Sequence, residues 1–301
     1  MNALLTKIEG NQLVVELLAK CDFPDAHGKV SCAVSGGRDS MALLLLAVAH
    51  GCEVTAIHLD HGLRTGSEIE SAVVEKLAND LGASFIARSI QVMPGPNLEA
   101  RARTARYEVM PPDVATGHTA DDQAETVLIN LLRGAGLAGL AGMQRSPRHP
   151  ILALRRSETH ELCRIFDITC VDDPSNTDTR FQRNRIRHEL IPLMDAISQR
   201  DVTAILDRQA DLLRDDAVVL DDLAKLIDPT DAKALIEAPL ALSRRAVRQW
   251  LTDIYPPDAA TVERVLDVAR GSSLACEIGM NREVRRSKQR LAILPSTRPD
   301  K

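Results

Sequence analysis

Ser35-Gly36-Gly37-Arg38-Asp39-Ser40 separates two apolar segments of different character. The segment before it, residues 29–34 (Lys-Val-Ser-Cys-Ala-Val), is short and rich in β-branched side chains, which is typical of a buried strand. The segment after it, residues 41–49 (Met-Ala-Leu-Leu-Leu-Leu-Ala-Val-Ala), is longer and rich in Leu and Ala, which favours a helix. The sequence therefore predicts a strand, a tight glycine turn and a helix, in that order.

Such a junction is a suitable place for phosphate groups. Glycine accepts positive φ and lets the backbone approach a ligand closely, while the free N–H groups and the dipole of the following helix attract an anion. A carboxylate here would repel phosphates unless it caps the helix or faces a cation, so we assign Asp39 to Mg²⁺. A capped turn without a ligand is the alternative. The residues predicted to bind the nucleotide are Ser35, Gly36, Gly37, Arg38, Asp39 and Ser40, and Asp39 is also predicted to be catalytic.

Composition narrows the fold class and the partners. Only 2% of the 301 residues are aromatic and 45% are hydrophobic, so the core must consist of Leu, Ala, Val and Ile, which favours helices around a parallel sheet. A net charge of −5 excludes a generally cationic nucleic-acid binder but permits a local basic face. Six cysteines without a Cys-x-x-Cys pair predict reduced thiols in a cytoplasmic protein, and no membrane segment is expected.

Further strands are predicted at residues 53–59, 84–90, 113–117 and 150–154. Open parallel sheets bind ligands at the carboxyl ends of their strands, so the residues that follow each strand are candidates for the site. We therefore predict Asp60 as a catalytic residue and His61 and His118 as nucleotide-binding residues. Polar loops with capping side chains are the alternative interpretation.

Two acidic residues open the helix after the fourth strand. Asp122 and Glu125 are three residues apart and can converge on one cation, either Mg²⁺ or the ammonium group of a substrate. The favourable position of carboxylates at a helix N-terminus is the simpler explanation. We predict both residues to be catalytic.

Arginines cluster in two places of this acidic chain. Residues 97–107 include Arg103 and Arg106, and residues 180–188 contain four arginines, of which Arg187 is one. Because guanidinium groups pair with phosphates and carboxylates, we predict Arg106 and Arg187 to be catalytic and Arg103 to bind the nucleotide. Solvated helix faces are the alternative.

The alternation of strands and helices gives way to long helical periods near residue 196, and residues 274–294 alternate like short antiparallel strands. We predict two domains, an α/β catalytic domain at residues 1–195 and a smaller, mostly helical domain at residues 196–301 that contacts RNA. The cations of the second domain that are available for an RNA backbone are Arg244, Arg245, Arg248, Arg285, Arg286, Lys288 and Arg290.

The order of these segments resembles the bacterial tRNA(Ile)-lysidine synthases, which are PP-loop enzymes of the N-type ATP pyrophosphatase group. The resemblance is strong from about residue 25 to 195 and looser beyond, and it is to the short form of the family, without a third domain. Arg38 departs from the group, where this position is often apolar. The matching segments are residues 35–40, 58–64, 97–107, 117–126, 173–176 and 183–187.

The resemblance implies a PP-loop domain, ATP and Mg²⁺ as cofactors, and two reaction steps. ATP adenylates C2 of the wobble cytidine in a CAU-anticodon isoleucine tRNA, and the ε-amine of free L-lysine then displaces AMP to give lysidine. The glycine turn would hold the pyrophosphate, Arg106 and Arg187 would contact phosphate or carboxylate, and Asp60, Asp122 and Glu125 would serve the lysine amine. A homodimer is one expected assembly.

Other functions remain open from the sequence. A tRNA 2-thiolase uses the same adenylation but needs cysteines or a cluster for sulfur transfer. A small-molecule amidotransferase would need an ammonia source, and a nucleotide-sensing module would release no AMP. AMP release that depends on both tRNA and lysine separates these possibilities.

Overall fold

The computed structural model describes residues 3–60, 67–89, 109–171, 178–253 and 256–296. The chain divides into two compact units, Met1–Asp211 and Leu212–Lys301. The boundary predicted between residues 195 and 196 lies before this division. The assignment of catalysis to one domain and RNA contact to the other stays a prediction.

A parallel sheet lies at the centre of the first unit. Its described strands are β1 (Lys29–Ala33), β2 (Glu53–Asp60), β3 (Ser84–Ser89) and β4 (Ala115–Thr116). The strand order is β3-β2-β1-β4, and every pairing between neighbours is parallel. The predicted α/β class with a parallel nucleotide-binding sheet is confirmed, although β4 is only two residues long.

Helices surround this sheet. The described helices of the first unit are α1 (Ala3–Ile8), α2 (Gln12–Leu18), α3 (Arg38–Ala49), α4 (Ser67–Leu81), α5 (Ala120–Leu132), α6 (Leu137–Leu140), α7 (Arg156–Ile165), α8 (Gln182–Arg185), a π-helical turn (Ile186–Leu190) and α9 (Ile191–Ser198). Residues 41–47 of α3 have no exposed surface. A helix that is apolar on all sides is one that the domain encloses, which explains the unbroken Leu and Ala run.

The strand predicted at residues 150–154 is wrong. These residues form turns, and Ile151, Leu152 and Leu154 are wholly buried. The carbonyl of Leu154 accepts a hydrogen bond from the N–H of Ala120 at 2.8 Å, and the carbonyl of Pro150 accepts one from Asp22 at 2.8 Å. Single hydrogen bonds of this kind can pair buried backbone groups without the regular bonding between neighbouring strands of a β-sheet. A short, buried apolar segment therefore need not be a strand.

A long helix, α10 (Val202–Lys225), leads into the second unit. There follow α11 (Ala232–Glu237), α12 (Leu240–Leu251), α13 (Ala259–Arg270), β5 (Ala275–Gly279), β6 (Arg282–Ser287) and β7 (Arg290–Pro295). The three strands are antiparallel in the order β5-β6-β7, and Val247, Val265 and Val284 are buried in the core beneath them. The predicted helical region with terminal antiparallel strands is confirmed. Within the described ranges, no helix is both long enough and apolar enough to cross a membrane.

Candidate active site

A cavity of about 570 Å³ opens at the carboxyl ends of the strands in the first unit. One part of its wall is apolar and consists of Ala33, Ile57, Leu59 and Met110. The rest is polar and includes Ser35, Gly37, Arg38, Asp39, Ser40, His118, Asp122, Arg156, His160, Arg187 and His188. A flat apolar group and a charged group can therefore be accommodated side by side.

The glycine turn between β1 and α3 is held by its own hydroxyl groups. Ser40 Oγ donates to the carbonyl of Gly37 at 2.8 Å and accepts from the N–H of Ser35 at 3.2 Å. Gly36 has φ +92°, a conformation that residues with a side chain rarely adopt, so the backbone and not the nearby methyl of Val171 is what favours glycine here. These contacts fix the conformation of the turn that forms one wall of the cavity.

Gly117, which follows β4, lies directly against the first turn of α3. A Cβ built on Gly117 would lie 2.9 Å from the backbone C and O of Asp39 and 3.0 Å from Cα of Ser40. Backbone atoms cannot rotate away as a side-chain tip can. The absence of a side chain at Gly117 therefore sets the distance between strand β4 and the glycine turn.

Replacing Gly117 with Ala is expected to lower the free energy of unfolding by about 1–3 kcal/mol and to raise the KM for ATP, because the added methyl must push the turn away from β4. Urea unfolding and steady-state kinetics measure the two effects. Gly136→Ala is the matched control, since Gly136 has φ −80° and none of the described atoms beyond its chain neighbours lies within 4 Å of where the added methyl would be. Equal effects from both variants would contradict the close-packing argument.

Asp39, the second residue of α3, lies in the cavity wall among polar partners from α7. Its carboxylate accepts a short hydrogen bond from the hydroxyl of Thr159 and lies 3.5 Å from Arg156 Nε and 3.9 Å from His160 Nε2. Burial is the main reason that the pKa of Asp39 is raised, and the nearby charge of Asp122 raises it further. The hydrogen bond from Thr159 and the nearby positive charges therefore do not fully offset the cost of burying the negative charge of Asp39.

Beside Asp39, two carboxylates and three guanidinium groups form a carboxylate–arginine cluster that consists of Asp122, Glu125, Arg156, Arg183 and Arg187. Asp122 Oδ1 accepts from Arg156 Nη2 at 2.9 Å and from Arg183 Nη2 at 3.0 Å. Glu125 accepts from Arg183 Nε at 2.7 Å, Arg187 Nε at 2.7 Å and Arg156 Nη1 at 3.2 Å. Glu125 has no exposed surface at all. In this structure Asp122 and Glu125 therefore pair with arginines of the same chain, whereas the sequence suggests Mg²⁺ or a substrate ammonium group.

Local structure explains how the cluster forms. Thr119 is the N-cap of α5, and its N–H donates to Asp122 Oδ2 at 2.9 Å, which fixes the carboxylate at the start of the helix. Arg156 begins α7, and its own N–H donates to Asp121 Oδ2 at 2.7 Å. Arg183 and Arg187 are four residues apart on the helical segment and therefore share a face.

The pKa of Asp122 is lowered. Burial alone would raise it, but the charges of Arg156 and Arg183 and the N–H of Thr119 outweigh that effect. A carboxyl with a lowered folded-state pKa stabilises the fold above its unfolded value of 3.8, and this contribution is lost as the pH falls through the folded-state pKa.

The difference in unfolding free energy between the wild type and Asp122→Asn is therefore expected to be large at pH 6 and to shrink below pH 3.8. Urea unfolding of both proteins across this range measures it. Because the other carboxyl groups titrate in both proteins, their contribution to the unfolding free energy cancels when the two are compared at the same pH. A difference that grows as the solution becomes more acidic would contradict the assigned shift.

The sequence from residue 8 to 194 matches the family model of the PP-loop domain. The chain is 40% identical over 248 residues to the tRNA(Ile)-lysidine synthase of Nocardia farcinica, with 77% of this chain and 78% of the relative covered. It is 36% identical over 271 residues to that of Mycobacterium tuberculosis, with 82% and 84% covered. This chain belongs to the tRNA(Ile)-lysidine synthase family. The sequence-based assignment to that family, to ligases of tRNA processing and to ATP-binding PP-loop enzymes is confirmed.

A solved structure also shares the fold. The U34-tRNA thiolase of Methanococcus maripaludis superposes with a TM-score of 0.53 at 16% identity, over 67% of this chain and 78% of the thiolase. This chain and the thiolase therefore share a fold, and the likeness shows no more than that.

The site residues predicted for this lysidine synthase family member fall into five groups. Gly36 shapes the turn, Glu125 lies buried behind the cavity, and Asp60 ends β2, paired in register with Ser89, without lining the cavity. His61, Arg103 and Arg106 lie outside the described residues. Those that line the cavity are Ser35, Gly37, Arg38, Asp39, Ser40, His118, Asp122 and Arg187.

The sequence analysis missed the contribution of α7. Arg156 reaches Asp39, Asp122 and Glu125, and the wholly buried Thr159 holds Asp39. The available signal was a pair of arginines, residues 155 and 156, directly after an apolar segment and at the start of a helix. Their partners are more than thirty residues away in sequence, so spacing alone does not identify them.

Proposed function

We propose that this enzyme ligates the ε-amine of free L-lysine to C2 of the wobble cytidine in a CAU-anticodon isoleucine tRNA. ATP adenylates the base, pyrophosphate leaves, and the attack of the amine releases AMP. The observation that carries the proposal is the meeting of the glycine turn, Asp39 and three members of the carboxylate–arginine cluster in one cavity at the strand ends, namely Asp122, Arg156 and Arg187.

The cavity suits the two ends of a nucleotide. The apolar wall of Ala33, Ile57, Leu59 and Met110 offers a surface for a flat base. The turn at residues 35–40 and the N-terminus of α3 offer hydroxyls, backbone N–H groups and a positive dipole end for phosphates. Arg187 in the same wall would stabilise the charge that develops on the departing pyrophosphate, as we propose for Arg106 as well.

The side chains fit Mg²⁺ at Asp39. Mg²⁺ is commonly held by one or two carboxylates together with substrate phosphates. Asp39 is partly exposed to the cavity with an incompletely compensated charge, whereas the oxygens of Asp122 are already bonded to arginines and Thr119. When bound, the ion would neutralise phosphate charge, and Asp39 would hold it.

The amine must be neutral to attack, so a group in the cavity must receive its proton. Asp122 has a lowered pKa, so we propose that it supplies negative charge to the lysine amine and does not take its proton, with Asp60, at the end of β2 and outside the described lining, as a further candidate for that contact. Glu125 is wholly buried and bonded to three guanidinium groups, so its proposed role is to position Arg156, Arg183 and Arg187.

The RNA surface is proposed to lie on the arginines of the second unit. Several of them are ion-paired within that unit, for example Arg290 with Asp228 and Arg285 with Glu283, each at 2.7 Å. Contacts to phosphate would have to compete with these pairs, and the release of counterions from the RNA backbone would make binding dependent on salt. A homodimer in the cytoplasm stays a prediction.

The deciding experiment is incorporation of labelled lysine into a CAU-anticodon isoleucine tRNA transcript, together with measurement of AMP. Both are expected to require ATP, Mg²⁺, lysine and the transcript. A transcript with uridine in place of the wobble cytidine is the matched control and is expected to accept no lysine. AMP release without lysine incorporation would overturn the proposed reaction, and the absence of AMP would leave only nucleotide binding.

A further inference from the structure

Thr116, at the end of β4, lies between two imidazole rings at the edge of the cavity. Its Oγ1 is 2.8 Å from Nδ1 of His118 and 2.8 Å from Nδ1 of His149. The same oxygen is 3.1 Å from the backbone carbonyl of Arg148. The two rings meet edge to face with their centroids 5.2 Å apart. The hydroxyl group thus has three polar neighbours.

The number of protons restricts this arrangement. A hydroxyl group has one proton to donate and two lone pairs with which to accept, and a carbonyl oxygen can only accept. All three contacts are hydrogen bonds only if Thr116 donates to Arg148 and both histidines donate from Nδ1. If the hydroxyl donated to either ring instead, its lone pair would face the carbonyl oxygen of Arg148 without a proton between them.

His149 is compatible with this assignment. Burial, with smaller effects from His118 and Arg148, lowers the pKa of His149 to about 4. The ring is therefore neutral at neutral pH and carries one N–H, which the geometry places at Nδ1.

We infer that Thr116 and His149 are positioning residues that hold His118 in the tautomer with the proton on Nδ1. His118 lines the cavity and precedes α5, so in the neutral ring its Nε2 is then a hydrogen-bond acceptor in the cavity wall. An acceptor nitrogen suits an amino group. This inference rests on the proposed function in one respect, namely that the substrate brings such an amine to the cavity.

The tautomer can be measured without any substrate. Long-range ¹H–¹⁵N correlation spectra of protein labelled at histidine nitrogen distinguish a protonated Nδ1 from a protonated Nε2, and His118→Gln identifies the signals of His118. We expect Nδ1 of His118 to carry the proton in the neutral ring, and spectra recorded across the titration of the ring identify that form. A neutral ring with its proton on Nε2 would overturn the inference whatever reaction the enzyme catalyses.

Matched variants test the role of the hydroxyl. Thr116→Val keeps the shape and removes the hydroxyl, whereas Thr116→Ser keeps the hydroxyl. We expect the valine variant to show a mixture of His118 tautomers and a kcat for lysine-dependent AMP release that is lower by about tenfold. Its KM for ATP is expected to stay unchanged, and the serine variant is expected to behave like the wild type.

His149 offers a second pair of variants. His149→Asn retains an N–H donor near the position of Nδ1, and His149→Leu removes it. We expect only His149→Leu to shift the His118 tautomer and to lower kcat. Thermal unfolding of both His149 variants shows whether each of them is folded. Equal tautomer spectra in all four variants would overturn the inference. A wild-type enzyme with the expected tautomer but no lysine incorporation would contradict the proposed function and leave the tautomer assignment standing.

Discussion

Replacing Asp39 with Asn is expected to lower ATP-dependent activity by about 10²- to 10³-fold and, at the same time, to make the protein more stable at neutral pH. The loss of activity follows from the proposed place of this carboxylate beside the nucleotide phosphates. The gain in stability follows from the raised pKa, which means that the folded state binds the proton of Asp39 more tightly than the unfolded state does. Ionisation of Asp39 therefore opposes folding as the pH rises above 3.8.

Asparagine removes this ionisation, and its amide oxygen can still accept the hydrogen bond from Thr159. Urea unfolding at pH 7 and steady-state AMP release measure the two effects. Asp228→Asn is the control of opposite sign, because hydrogen bonds from Thr230 and then from Arg290 lower the pKa of Asp228 to about 2. The asparagine variant of Asp228 is expected to lose stability and to keep a functional cavity. Loss of stability in Asp39→Asn would contradict the argument.

Replacing Glu125 with Ala is expected to lower the free energy of unfolding by about 2–4 kcal/mol, the largest change of stability that we expect from a charged residue in this chain. The variant leaves Arg183 and Arg187 without the buried carboxylate to which each donates at 2.7 Å. Both guanidinium groups are only partly buried and keep Asp122 as a carboxylate partner, so they regain part of their hydration but leave three positive charges facing one negative charge. Urea unfolding at pH 7 measures the loss.

Glu161→Ala is the matched control for Glu125. Glu161 lies in the exposed part of α7, and its partner Arg164 is three residues away on the same helix at 2.6 Å. Surface pairs of this kind contribute little, so no measurable change of stability is expected. An unfolding midpoint of Glu125→Ala close to that of the wild type would show that water or rearranged side chains replace the carboxylate.

The sequence alone predicts the centre of the fold well for a physical reason. Gly36 and Gly37 separate two apolar segments of clearly different residue types, so the first segment is assigned to a strand and the second to a helix without ambiguity. The predicted grouping of His118 and Asp122 with the glycine turn follows from the rule for strand ends in parallel sheets, and both line the cavity.

Sequence patterns fail where the outcome depends on distant partners. Residues 180–188 hold four arginines, but Arg180 and Arg185 pair with the nearby Asp178 and Glu189, whereas Arg183 and Arg187 point to Glu125. The helical spacing of a sequence shows which residues share one face of a helix, but it does not show which face packs against a carboxylate from a distant part of the chain. The segment at residues 150–154 shows the same limit, since burial gave it an apolar pattern without making it a strand.

The charges around the cavity have a consequence for the way in which a ligand reaches it. Asp39, Asp122 and Glu125 balance Arg156, Arg183 and Arg187, so these six groups together carry no net charge. A balanced set of ions creates little field beyond a Debye length of about 8 Å, so these six groups do not draw polyanions in from bulk solvent. Any electrostatic attraction during the approach of ATP then comes from Arg38 and the N-terminus of α3 in the same wall, and the six paired groups act by short-range fit after entry.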